Sequence, residues 1–165
     1  MVEIKMEGLQ ELQKRLLELP DKLGGNVLSS ALGAAATVIQ NEAKTRVVIA
    51  EKPYKLYTGQ TASPGWLRDQ IIKKRVKDSG NTAQTIITIK GKGANAFFWR
   101  FIEFGHFYVP KGSRNASRKW TKQTHAGEWV AARPFMRPAF AMAKEAALAR
   151  FAEKMKERLD KEDNK

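Results

Sequence analysis

Glu103 stands three residues before His106, and His125 three residues before Glu128. An imidazole and a carboxylate so spaced could share a proton or help to hold a metal ion. Two histidines in irregular segments, without a second ligand pair at the i, i+4 spacing of a metalloprotease helix, make a poor metal signature. Acid-base work also needs a convergent pocket that spacing alone does not supply. Tyr108, Ser113 and Ser117 are ordinary loop residues, and the Asn115 sequon is expected to be idle in an unsecreted protein. The run GKGAN at 91–95 lacks the Gly-Lys-Ser/Thr ending of a phosphate loop, because Gly93 follows Lys92. With no cysteine in the chain, thiolate metal sites, disulfides and cysteine nucleophiles drop out together. The expectation is a protein without catalysis, cofactor or metal.

Charge is the stronger signal. Thirty Lys+Arg against 17 Asp+Glu leave a net charge of +13 over 165 residues, which attracts nucleic acid, anionic surfaces or acidic proteins. Between Ser79 and Gly127 the sole acid is Glu103. Lys111, Arg114, Arg118, Lys119 and Lys122 lie in this stretch around Trp120. Together they form a candidate contact for DNA phosphates or an acidic partner, with the indole free to stack; a solvated loop is the plainer alternative. The charged N-terminus lacks the apolar core of a signal peptide. The longest apolar stretch, near ALGAAATVI, is far too short to span a bilayer. A soluble chain with no membrane partner is expected.

The elements that must position these residues read as α+β, in a single domain over 1–165. Residues 2–8 alternate apolar and charged as a strand does, and Leu9, Leu12, Leu16 and Leu19 form a helical stripe up to Pro20. A second stripe of Leu23, Val27, Ala31, Ala35, Ile39 and Ala43 continues this long N-terminal helical segment. Residues 50–65 and 106–128 read as long loops. WLRDQIIKKRVKD and TAQTIITIKG around the turn at 78–81 read as a small antiparallel sheet. Phe97, Phe101 and Phe104 fall at helical spacing before Gly105 and are expected to face the core. A C-terminal helix from about Pro138 to Leu159 carries Phe140, Ala143, Ala147, Phe151, Met155 and Leu159 on one stripe, and 160–165 should fray.

Two Arg-Pro steps introduce that helix. Proline disfavours helical geometry in the residue before it, so Arg133 and Arg137 are expected to be extended, and Pro138 suits a first helical turn. The stretch 129–138 then behaves as a stiff arm, with Arg133, Phe135, Met136 and Arg137 as candidate subunit-interface residues.

The order of these features resembles the tailed-bacteriophage tail-component family of neck proteins, described as head-tail joining or tail-completion proteins. The resemblance runs over nearly the whole chain: VEIKMEGLQELQKRLLELP, a helix ending in NEAKTRV, TG followed by LRDQI, a β-rich middle, FIEFG, and ARPFMRPAF before the last helix. The pairing of EFG at 103–105 with RPFMRPA at 133–139 is its most distinctive part. QTASPGW between TG and LR, and His106 in place of a usual threonine, depart from the pattern. The resemblance implies a non-catalytic virion subunit, assembled in the host cytoplasm as a homo-oligomeric ring, with six as the expected number of copies. It would join the head connector to tail-tube or tail-terminator proteins, with non-specific contact to DNA in the channel. A freestanding sequence-independent nucleic-acid-binding protein using the loop 111–122 is the alternative.

Overall fold

A computed structural model describes residues 8–17, 21–56, 58–76, 83–90, 96–108 and 128–163. The expected strand at 2–8, the turn at 78–81 and the basic cluster Lys111, Arg114, Arg118, Lys119, Trp120 and Lys122 therefore lie outside the described residues, apart from Gly8, as does His125. Helix α1 spans Leu9–Leu17 and α2 Asp21–Arg46. The ribbon β1 (Tyr54–Lys55) with β2 (Thr61–Ala62) follows, then the short helix α3 (Trp66–Asp69) and the hairpin β3 (Ile71–Val76) with β4 (Gln84–Ile89). A 3-10 turn at Ala96–Phe98 runs into α4 (Trp99–Phe104); β5 (His106–Phe107) pairs with β6 (Trp129–Val130), and α5 covers Met136–Asp163. The mixed α+β class is as expected, and among the described residues the antiparallel pairing is divided among three two-stranded ribbons.

The two long helices form the body. Val27 and Ala31 of α2 are buried with Met155 and Leu159 near the end of α5, while Ala43 and Val47 are buried with Phe135 and Ala139 at its start. They therefore run antiparallel. Ala36, Ala143 and Ala147 are buried between these ends, so side chains of minimal size keep the backbones close. Leu12 and Leu16 of α1 close one end of this seam, and Arg15 bonds Asp160 at 3.0 Å. The buried stripe of α5 is Phe135, Ala139, Ala143, Ala147, Met155 and Leu159; Phe140, expected in it, is 59% exposed. A bulky ring cannot enter a seam that alanines define.

On the other side of α2 lies the β3–β4 hairpin, in register from Ile71↔Ile89 to Val76↔Gln84. The Gln40 amide donates to Ile71 O at 2.7 Å, and Lys73 Nζ donates to Gly33 O at 2.9 Å, which pins the strand across the helix. WLRD, read with the strand from sequence, is the turn of α3. Gly65 at φ 83° starts it, and the Gln70 N–H donates to Leu67 O as it closes. The stretch 50–65 is likewise more ordered than a loop: Tyr54 pairs with Ala62 and Lys55 with Thr61, and Leu56 and Ala62 are buried.

Candidate assembly interface

Helix α5 begins without a cap of its own. Phe135 precedes its first residue and has no side-chain acceptor, yet a helix start leaves four backbone N–H groups without partners. Glu103 supplies the acceptor from α4. Its carboxylate takes the N–H of Phe135 at 2.8 Å, of Met136 at 3.0 Å and of Arg137 at 3.2 Å. The fourth position is Pro138, which has no N–H to satisfy. From Ala139 onward the helix serves itself, with Ala139 N–H donating to Phe135 O at 3.1 Å. The proline thus removes the one donor the carboxylate does not reach.

Arg137 completes the lock. Its Nε donates to the Glu103 carboxylate at 3.2 Å, an Nη donates to the Glu103 carbonyl at 3.1 Å, and the guanidinium lies 5.0 Å from the Phe104 ring centroid. Glu103 is 1% exposed. Burial is the largest single influence on its carboxyl and would raise its pKa. The Phe135, Met136 and Arg137 N–H groups with the Arg137 side chain together outweigh burial and hold the carboxyl below its ordinary value. Arg137 is consequently helical rather than extended, as Pro138 alone would have made it. The local proline preference yields to bonds with a buried carboxylate.

With its carboxylate engaged in this way, Glu103 is a structural anion, and the acid-base pairing with His106 weighed from spacing is not its role. Among the described residues no group of His, Asp and Glu could hold a metal ion. The lock also places Phe135 wholly inside its own subunit, at 0% exposure, and Met136 half-buried. Of the candidate arm residues, Arg133 is exposed, and its N–H donates to Ile102 O at 2.7 Å. Every residue from Glu128 to Pro134 is exposed. An exposed strip thus leads into a buried anchor.

The expected inward face of Phe97, Phe101 and Phe104 is in fact turned out, at 54%, 45% and 56% exposure. The 3-10 turn before α4 resets the phase. Phe98 faces in, stacked on Trp66 and edge-on to Tyr54, and Ile102 and Glu103 follow it inward. Gly105 then sends the chain sharply away at φ 76°, ψ 168°. A Cβ there would lie 2.6 Å from Trp129 Cζ2 and 2.9 Å from Val130 O. Only glycine permits that approach.

Between this region and the β1–β2 ribbon opens a cleft of about 550 Å³, lined mainly by apolar side chains including Val48, Leu67, Phe101 and Val130, with Tyr54 and Arg133. His106 Nδ1 is covered there without a hydrogen-bond partner. The ring itself stacks obliquely on Phe101, 5.2 Å between centroids. The fold thus gathers the exposed rings of Phe97, Phe101, Phe104, Phe107 and Trp129 around α4 and the β5–β6 ribbon, near the start of α5.

A family model described as "Bacteriophage HK97-gp10, putative tail-component" matches residues 10–105. The chain belongs to this HK97-gp10-like family. The matched stretch runs from α1 through α2, the hairpin and α4 and ends at Gly105, two residues past the carboxylate that anchors α5. Neither a curated protein nor a solved structure matches the chain. The protein is accordingly a phage tail component of the virion. Among its described residues no helix is long and apolar enough to cross a membrane.

Proposed function

We propose that this HK97-gp10-like protein is a structural subunit of the phage neck, closing as a homo-oligomeric ring of six that joins the head connector to the tail-tube or tail-terminator proteins. The observation that carries this reading is the Glu103 lock. It holds a strip exposed from Glu128 to Pro134 in fixed geometry at the start of the longest helix. Trp129 packs on Phe107 within the subunit yet stays 52% exposed, and Val130 41%, and a neighbour or an adjoining layer would cover what remains. Arg133 and Arg137 would flank that contact, with Phe135 and Met136 as its root. The Lys111–Lys122 segment would meet acidic partner surfaces or DNA in the channel. In this role the protein performs no chemistry.

The test is imaging of particles from phage lacking the protein. Heads and tails that fail to join support the neck assignment, and normal joined infectious virions refute it. Mobility-shift titration at two salt concentrations addresses the nucleic-acid-binding alternative, which requires affinity that falls steeply with salt. Negligible binding at physiological salt eliminates it.

A further inference from the structure

Along one line of α2, Leu28, Leu32, Ala35 and Ile39 recur at the four- and three-residue spacing that stacks side chains on one side of a helix. Leu28 packs with Val27 and Ala31 in the cluster that Leu12 and Leu16 of α1 close. Leu32, Ala35 and Ile39, with Ala36, floor an apolar hollow of about 360 Å³, walled by Thr85 and Ile87 of β4 and by Met136 and Phe140 of α5. The hollow therefore continues the groove that α1 occupies. No charged residue lines it, in a chain whose net charge is +13.

One edge of β4 borders this hollow. Lys90 N–H donates to Gln70 O at 2.8 Å, so in the register of the hairpin Gln70 and Lys90 form a bonded pair. Bonded and non-bonded pairs alternate along an antiparallel ladder. The backbone groups of Ile71 and Lys73 consequently point outward from β3, and those of Thr85 and Ile87 outward from β4. On the β3 side, the Gln40 amide meets Ile71 O at 2.7 Å. On the β4 side, β3 is the one strand paired with it among the described residues, and the side chains of Thr85 and Ile87 line the hollow. Such an edge takes an extended strand, whose backbone completes the ladder while every second side chain enters the hollow.

The chain carries a segment of that pattern next to the site. Residues 2–7, outside the described residues, read Val-Glu-Ile-Lys-Met-Glu and lead through Gly8 into α1, where Leu12 N–H donates to Gly8 O at 3.1 Å. Helix α1 ends close to Asp21, the first residue of α2, and Arg15 bonds Asp160 at that end of α5. Gly8 thus stands at the other end of α1, on the side of the hollow. Six residues reach about 20 Å as a strand, and the floor from Leu32 to Ile39 measures about 10 Å along the helix.

We infer that residues 2–7 add to β4 as a third strand within the same subunit, with Val2, Ile4 and Met6 in the hollow and Glu3, Lys5 and Glu7 on the outer face. The direction is antiparallel. Thr85 lies beside Leu32 at the hollow while Ile89 packs with Ala43 and Val47, so β4 runs toward the end of α2, and a segment entering α1 runs toward its start. Attachment through Gly8 gives this segment a high effective concentration at the edge, which favours it over any strand from another molecule. The hollow then belongs to the core of its own subunit, and the exposed rings around α4 are what remains for neighbours.

The cysteine-free sequence lets one engineered pair report the contact. With Ile4 opposite Ile87, Lys5 stands opposite Ile86, which is 51% exposed. Lys5→Cys and Ile86→Cys, combined in the full-length protein and oxidised, should close an intramolecular disulfide, read as a faster band on a non-reducing gel and the loss of both thiols. Circular dichroism checks that the variants fold. A link from Glu3→Cys or Glu7→Cys to Ile86→Cys in place of Lys5→Cys shifts the register by two residues and upholds the pairing. Disulfide-bonded dimers would mean that the strand comes from a second copy and overturn the inference. So would no link from any of the three, or a link from Ile4→Cys as efficient as from Lys5→Cys, because that side chain belongs to the opposite face. Hydrogen exchange adds a measurement on the unmodified chain: the amides of Thr85 and Ile87 should exchange at least about tenfold more slowly than in Ile4→Asp. Equal rates would overturn the pairing as well.

Discussion

The carboxylate of Glu103 accepts the backbone N–H of Phe135 at 2.8 Å across 32 residues of sequence. One buried carboxylate thereby fixes where the last helix begins and which way the preceding strip points. Hydrogen bonds to a charged acceptor contribute about 1.5–3 kcal/mol each, and leaving their donors buried without a partner costs more than the bonds themselves contribute.

Glu103→Ala is therefore expected to destabilise the protein by about 3–5 kcal/mol. Glu103→Gln should cost about 2–3 kcal/mol, because its amide group would confront donors. Arg137→Met, at the exposed side of the lock, should cost about 1 kcal/mol. Urea unfolding followed by circular dichroism measures all three, and equal losses for Glu103→Gln and Arg137→Met would contradict the burial argument.

Acid should act through the same group. The Glu103 carboxyl is held below its ordinary value in the folded state, so the unfolded chain binds the proton first. Its contribution is full above about pH 4.3, the unfolded value, and declines as pH falls through the lower folded value. Glu157 behaves likewise in direction, its pKa lowered to about 2 by Lys154 and Lys161. Comparison of wild type with Glu103→Gln at pH 7 and pH 3 isolates the Glu103 part: the gap between them should narrow in acid.

Gly105→Ala meets both a positive φ and a Cβ contact of 2.6 Å with Trp129. A loss of about 2–3 kcal/mol is expected from strain together with overpacking. Removing the indole in the same chain should restore only part of it, since Val130 O at 2.9 Å belongs to the backbone. Full rescue by Trp129→Ala would show that the backbone yields.

Phe135→Ala should cost about 3–5 kcal/mol, as expected for a fully buried ring. Phe97→Ser and Phe101→Ser should alter monomer stability by no more than about 0.5 kcal/mol. Thermal melts of the three variants decide. A stable Phe135→Ala monomer would return Phe135 to the contact surface.

The long helices and the β3–β4 hairpin follow from periodicity, because α2, α5 and the isoleucine strands repeat apolar residues at the spacing their geometry demands. Phe97, Phe101 and Phe104 show the limit of that rule. Common spacing says that three side chains share a face, and leaves open which way it turns. Size argued for the aromatic face inward; the requirement of α5 for an acceptor turned the opposite face in, carrying a carboxylate that sequence rules place in solvent. A signal was present. A helix whose N-cap is Phe135 lacks a capping side chain, and Glu103 is the sole acid between Ser79 and Gly127. The helix start at Met136, two residues before the Pro138 that the sequence marks, is what turns these two facts into a remote cap. Nothing comparable announced the apolar hollow of about 360 Å³ among α2, β4 and α5, whose walls come from three separated segments and meet only in the fold.

The β5–β6 pairing joins the strands on either side of residues 109–127, with Tyr108 N–H donating to Glu128 O at 3.0 Å. Its two ends are thus clasped independently of what lies between them. Lengthening such a segment twofold costs only about 0.6 kcal/mol in closure entropy. An insertion between Tyr108 and Glu128 therefore begins and ends on backbone already bonded across the ribbon, like a hem let out between two fixed seams.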